Sequence, residues 1–391
     1  MTAAQQQFDL AIVGAGIIGL AHALAASRLR LRVVVIDRDA QATGASIRNF
    51  GFVTISGQAP GTDWRRAIRS RDVWLEVAGP AGIEILHRGA TIVARRPEAL
   101  AVIEAFLKTE AGEDCELLSS ATIAKRQPQL DGGDVQGALW SPHEIRIEST
   151  YAIPRLAEYL VKHHGVEFRR ETAVRAVEPP VIETSRGPIE ARKVIVCPGD
   201  DLTTLFPERI AAYNVTRCKL QMMRLADPGF RLTSTVMSDL SLARYPGFAA
   251  LAEAAALRRR LQAEEKPALE NGVHLIVVQS ADGSLVVGDS HHYGPAPDPF
   301  NADTVDEIIL GEYRQVFAGA QPKVIARWTG TYASADRAII VDAPEPNVRL
   351  VVNTGGNGAS TSFAVAEEVI ADLFGPGAAD LKFLHHLRQA R

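Results

Sequence analysis

The sequence of 391 residues predicts an α/β fold built on a Rossmann-like parallel sheet, and three observations predict it. An apolar run, Phe8 to Val13, ends in Gly14-Ala15-Gly16-Ile17-Ile18-Gly19. An Ala-rich helical stretch, Ile17 to Leu29, then leads into a β-branched run, Leu31 to Ile36, that stops at Asp37. Far along the chain, Val348–Asn353 reads as another strand, passing through Gly355-Gly356-Asn357-Gly358 into a helical stretch, Ser360–Leu373. Strand, glycine turn, helix and strand within about 30 residues make a βαβ unit.

Between these ends the pattern alternates. Trp64 to Val77 spaces Trp64, Ala67, Ile68 and Val73 as one face of an amphipathic helix. Ala90–Ala94 reads as a strand and Pro97–Thr109 as a helix. Tyr151 to His164 is helical, Val166–Phe168 and Ala173–Val177 are strand-like, and Lys193–Cys197 is a buried-strand run stopped by Pro198-Gly199. Residues 220–290 alternate strand-like segments with one long helix, Phe248 to Glu265, and Gly294–Phe300 is a Pro-punctuated loop. No repeat and no low-complexity linker separates these parts, so two interleaved domains are expected rather than two in series.

Composition narrows the function. Apolar residues make up 47% and charged residues 23%, which suits a folded globular chain. A net charge of −4 argues against a dedicated nucleic-acid or anionic-membrane surface. The apolar stretch from Leu10 to Ala26 is interrupted by glycines and His22, too broken to span a bilayer, and no basic segment precedes it as in a secretory leader. Cys115, Cys197 and Cys218 lie far apart, with no CxxC pair and no metal-ligand spacing; no metal and a reducing, cytoplasmic setting are expected.

The chemistry sits in the glycine motifs. Gly14, Gly16 and Gly19 follow a strand and open a helix, and Asp37 comes 23 residues after Gly14. Such a turn brings backbone N–H groups to a pyrophosphate, while the acid accepts from ribose hydroxyls. The second loop, Thr43 to Gly51, is small and polar, suited either to further cofactor contacts or to a plain surface loop. The helix start near Ser360 offers free N–H groups and a positive dipole end, or else simply a Ser-capped glycine turn.

Taken in order, the N-terminal fingerprint, the Gly44-Ala45-Ser46-Ile47-Arg48-Asn49-Phe50-Gly51 loop, Lys193–Gly199 and the terminal glycine loop resemble the D-amino-acid-oxidase family of flavoproteins, which includes glycine and sarcosine oxidases. Ser46 to Gln58, Arg66–Ser70 and Cys218–Arg224 resemble more narrowly a subgroup associated with aminophosphonate breakdown. The resemblance implies a Rossmann-like FAD-binding domain (residues 1–80, 145–220 and 325–391) interleaved with a smaller antiparallel-sheet substrate domain (81–144 and 221–324). It implies FAD held without a covalent bond. Beside the fingerprint residues, including Ile17 and Ile18, contacts are expected from Asp37 and Arg38, and from Gly44, Ala45, Ser46, Asn49 and Gly51. Further contacts are expected from Val174, Cys197 and Gly199, then from Gly355 to Gly358, Ser360 and Thr361. The implied reaction passes a hydride from the carbon beside a small amine's nitrogen to the flavin, and water hydrolyses the resulting imine. Molecular oxygen or another acceptor then takes the electrons.

Departures from the family pattern point to the substrate. Many members clamp a carboxylate with an Arg in a Gly-x-Arg segment. The matching stretch here is Gly330-Thr331-Tyr332-Ala333-Ser334, with Tyr332 at the Arg position. No Cys for a flavin link lies around Arg327–Ser334, and Val286 stands where some members carry an oxygen-assisting Lys. A substrate pocket is expected from Arg48, His291, His292, Tyr332 and Ser334, although the two His equally suit a solvated loop and Tyr332 a core position. The expected activity is oxidation of 2-aminoethylphosphonate or its N-methyl form to phosphonoacetaldehyde. Glycine- or sarcosine-type oxidation and a non-catalytic flavin-binding scaffold are the alternatives.

Overall fold

A computed structural model describes residues 7–130, 134–319 and 321–375. The first six residues and residues 376–391, to which the leader and domain readings extend, lie outside that set. The chain builds two sheets. The first runs, strand by strand, Ile339–Glu345, Val348–Asn353, Ile189–Val196, Phe8–Val13, Val33–Ile36 and Glu167–Arg169. Its inner strands are parallel, with Ile12 opposite both Ile195 and Val35. Val33–Ile36 is buried throughout, as expected of a parallel strand covered on both faces.

One face is covered by helix Ile17–Arg28, whose run of Ala, Gly and Leu lets helices Gly358–Phe374 and Ser149–His164 pack closely upon it. Helix Thr62–Ala78 joins that layer through Trp74, which meets Phe363 edge-on at 5.0 Å. The other face holds a smaller core containing Ala11, Val34 and Val194 beneath the hairpin Val174–Glu178/Val181–Thr184.

The second sheet follows the order His292–Gly294, Thr216–Leu225, Leu285–Gly288, Ile276–Gln279, Thr235–Met237, Ile85–Ala94, Gly137–Ile147 and Phe52–Val53. Val324–Ser334 pairs along the whole of Thr216–Leu225, setting Tyr332 opposite Cys218. Every pairing there is antiparallel except Thr235–Met237 on Ile85–Ala94. Helices Pro97–Phe106, Ala254–Glu264 and Asp303–Val316 pack on it over one apolar core.

The chain passes from the first sheet to the second after Ile36, back before Glu167, out again at Thr216 and home at Ile339. The fold is mixed α/β, with sheets of both orientations.

Two local readings change. The single helix over Phe248–Glu265 is two, Pro246–Ala249 and Ala254–Glu264. The break lets Phe248 reach Phe106 (ring centroids 4.7 Å apart) while Leu257 and Leu261 enter the same core. The last helix begins at Gly358 rather than Ser360. The Ser360 hydroxyl oxygen accepts from the Thr54 N–H at 2.9 Å instead of capping the helix.

Candidate active site

A cavity of about 540 Å³ runs from the first glycine turn to the antiparallel sheet, bounded by both sheets and the terminal helix. At its first end Gly14 has φ +103, and a Cβ there would collide with the Cys197 carbonyl oxygen; a Cβ on Gly19 would collide with the Gly14 carbonyl. The turn therefore requires glycine at both positions. The Ile17 N–H donates to Ser46 Oγ at 2.9 Å, so the second loop is tied to the helix start. Asp37 Oδ2 accepts from the Ala15 N–H at 2.6 Å and Oδ1 from the Asp39 N–H at 2.9 Å. Arg38 is exposed and pairs with Asp201 at 2.7 Å.

Gly16, Ile17, Ile18 and Gly19 line the cavity, as do Ala45, Ser46, Asn49, Cys197 and Gly199. Gly14, Asp37, Arg38, Gly44, Gly51 and Val174 do not. Gly51 serves packing, because with φ +66 a side chain there would strike the Ile147 carbonyl. Asn49 Oδ1 accepts from the Gly51 N–H at 2.7 Å and from Ser149 Oγ at 2.8 Å, which fixes the loop. Val174 belongs to the small core under the hairpin.

In the terminal loop Gly355, Gly356, Asn357, Gly358 and Ser360 line the cavity, whereas Thr361 turns its hydroxyl to the Asn357 carbonyl at 3.2 Å. Asn357 Nδ2 donates to Gln58 at 2.8 Å, and its Oδ1 accepts from Asn353 at 2.9 Å. Trp74 Nε1 donates to the Ala359 carbonyl at 2.8 Å. The loop is thus braced on three sides, with its helix N-terminus at the cavity wall. Tight glycine turns and a helix start along one elongated cavity fit an extended dinucleotide such as FAD.

At the other end the cavity meets Arg48, Arg244, Tyr245, His274, Asp289, His291, Tyr293, Tyr332 and Ser334. Tyr332 lies against the terminal loop, its ring 2.9 Å from where a Cβ on Gly356 would stand. Burial raises its hydroxyl's pKa, so it stays a neutral donor. Arg244 Nη2 donates to Tyr293 Oη at 3.0 Å and, among the described residues, forms no ion pair. Asp289 is pushed up to about 7 by burial. His274 and His291 stack at 5.2 Å, and burial, with the Arg244 charge, holds both well below the usual imidazole range. The donor atoms of His274, Asp289 and His291 lie within 4.8 Å of one another, a spacing a divalent cation could bridge. The positive field of Arg244 falls on all three and opposes a cation there.

Of the expected substrate residues, Arg48, His291, Tyr332 and Ser334 face this cavity. His292 turns away toward Asn271 Oδ1 at 3.1 Å, as alternation along a strand requires of His291's neighbour. Arg48 is exposed and also lines an adjoining pocket. Arg244, Tyr245, His274, Asp289 and Tyr293 were not singled out from the sequence. The segment Gly288–Tyr293 could have drawn notice to Asp289 and Tyr293, but nothing local marks Arg244 or His274.

Two interleaved sheets around such a cavity suit a protein that binds an extended dinucleotide. The chain belongs to the DAO family of FAD dependent oxidoreductases, whose sequence profile matches residues 9–373. No curated protein sequence matches it. Among solved structures, glycine oxidase from Geobacillus kaustophilus superposes with a TM-score of 0.75 at 19% identity, covering 94% of this chain and 95% of that one. Iminodiacetate oxidase from Chelativorans sp. BNC1 gives 0.72 at 18%, covering 95% and 97%. Reduced L-alpha-glycerophosphate oxidase from Mycoplasma pneumoniae, with FAD bound, gives 0.73 at 17%, covering 95% of each. At these identities the likeness is one of fold. The protein is an FAD-dependent enzyme, and a scaffold role without turnover is set aside. No helix among the described residues is long and apolar enough to cross a membrane.

Proposed function

We propose that the enzyme oxidises a small amine bearing a tetrahedral anionic head group, 2-aminoethylphosphonate or its N-methyl derivative, to phosphonoacetaldehyde. The observation that carries this reading is Tyr332. It occupies the strand position where the family resemblance calls for a carboxylate-clamping Arg, and it faces the cavity beside the terminal glycine loop. One guanidinium fork matches a planar carboxylate, whereas three phosphonate oxygens need donors from several directions. Tyr332, Tyr293 and Arg244 line one end of the cavity and supply such a set; Arg48, His291 and Ser334 add to it. A phosphonate oxygen left unpaired away from water would cost several kcal/mol.

FAD, when bound, supplies the acceptor for the two electrons of the C–H bond beside nitrogen. The chain's part is to hold the amine's carbon toward the flavin, keep bulk water out and fix the head group. Its terminal helix start places N–H dipoles at the cavity wall, where negative charge is welcome.

Likeness in fold to glycine oxidase and iminodiacetate oxidase favours a second reading, in which the substrate carries a carboxylate. Anaerobic mixing with a panel of amines, followed by flavin absorbance, separates the two. An aminophosphonate is expected to exceed glycine and sarcosine in kcat/KM by at least about tenfold, which is ~1.4 kcal/mol of transition-state binding. Tyr332→Phe should raise KM for the phosphonate more than it changes FAD affinity. Faster reduction by glycine or sarcosine would defeat the aminophosphonate reading and leave the amine oxidoreductase.

A further inference from the structure

Asp289 is the single carboxylate among the described residues lining the cavity. It follows strand Leu285–Gly288, is 5% exposed, and its Oδ1 has no hydrogen-bond partner. A buried carboxylate with no Lys or Arg salt bridge within 4 Å is an expensive thing to keep, and function is the usual reason.

Its surroundings are specific. From the segment before Ile276, His274 Nε2 stands 3.4 Å from Oδ1; along its own segment, His291 Nε2 stands 3.8 Å from Oδ2. His291 Nδ1 lies 2.9 Å from the Gly272 carbonyl, so it carries the proton and Nε2 turns a lone pair toward Asp289. Arg244 sends its charge from the end of helix Leu240–Arg244, and Tyr245 adjoins it. Cys218 and Tyr332, on neighbouring strands, are near enough to feel its charge. Both imidazoles and the two phenols are neutral, so among the described residues Arg244 is the one full charge acting on the carboxylate.

An aliphatic amine near neutral pH arrives as the ammonium, since such groups titrate near ~10.4. The C–H hydride cannot leave until nitrogen has a free electron pair. We propose that Asp289 receives the substrate ammonium on its open Oδ1 and takes its proton, while Arg244 with Tyr293 holds the anionic end. One N–H bond breaks, one O–H bond forms, and the electron pair stays on nitrogen. The proton returns to solvent after product leaves. A carboxylate raised to about 7 suits this exchange, being about half ionised at neutral pH and closer in basicity to the amine than an ordinary carboxylate, while the transfer stays uphill by ~3 pK units. The inference rests on the amine-oxidising reading above but not on which anion the substrate carries.

The test uses the full-length holoenzyme and the panel amine that reduces wild-type flavin fastest. The second-order rate of flavin reduction in the wild type is expected to rise through pH about 7 and then level. Asp289→Asn should lose that acid limb. Its rate should climb about tenfold per pH unit toward the substrate's own pKa. It should fall about 100-fold or more below wild type at pH 7.5, yet come within about tenfold at pH 10. A merely structural role would depress the rate alike at every pH. A variant that keeps the wild-type profile, or is equally impaired at pH 7.5 and 10, overturns the proposal. Should the variant not fold, a wild-type profile without a limb near 7 overturns it equally. Failure of every amine to reduce wild-type flavin would instead sink the amine-oxidising reading, and this inference with it.

Discussion

Replacing Asp37 should separate the cofactor from the chain in a measurable way. The carboxylate stands at the end of strand Val33–Ile36 and accepts from the Ala15 N–H at 2.6 Å and the Asp39 N–H at 2.9 Å. One bond holds the glycine turn in place and the other holds the carboxylate itself. Each oxygen keeps a further lone pair for a ribose hydroxyl. A hydrogen bond to a charged group contributes roughly 1.5–3 kcal/mol net. Losing the ribose bond alone should therefore weaken FAD about 10- to 100-fold. Release of the Ala15 N–H adds to that, because Asp37 no longer fixes the glycine turn. Asp37→Asn keeps one acceptor oxygen and should fall between wild type and Asp37→Ala. The assay is titration of apoprotein with FAD, followed by flavin fluorescence. An unchanged dissociation constant in Asp37→Ala would refute the assignment of this strand end to the adenosine half of the cofactor.

FAD should be released on acid denaturation and stay in the supernatant. Cys197, the cysteine lining the cavity, is held as a neutral thiol by burial, and yellow colour in the pellet would contradict this. Stability should fall on acidification between about pH 6.5 and 4. His22 and His87 are both lowered to about 4, chiefly by burial, with the Arg146 charge adding to the shift at His87. The unfolded chain thus binds more protons than the folded one in that window, and each gap is worth ~3 kcal/mol once fully traversed. Guanidinium unfolding at pH 7 and pH 4.5 measures the loss, which should be smaller in His22→Leu; equal midpoints for the wild type at both pH values would refute it.

Much of the glycine-turn end of the cavity was legible in the sequence because its logic is local. The tight turn needs glycine at Gly14 and Gly19 for reasons confined to about six residues, and the acid at Asp37 ends the next strand. Apolar periodicity likewise marked Trp64 to Val77 as a helix, within two residues of the observed ends at Thr62 and Ala78. Other features escaped for physical reasons. The break near residue 250 answers to Phe106, far away in the chain, and no local breaker announces it. The start of the last helix moved because the Ser360 hydroxyl was claimed by Thr54, 306 positions distant.

The sequence by itself determined the parallel sheet, the glycine turns and the presence of Tyr332 where an Arg is expected. Only the tertiary structure decided which polar groups share the end of the cavity against the antiparallel sheet. Arg244 closes one short helix, His274 precedes a strand, Asp289 follows another, and Tyr293 sits on an edge strand. Strand pairing and the crossovers between sheets bring them together across sequence distances that no spacing rule records. Burial then does what composition cannot foretell. The same few ångströms that hide Asp289 from water raise its pKa, keep both imidazoles neutral and leave one guanidinium to set the field.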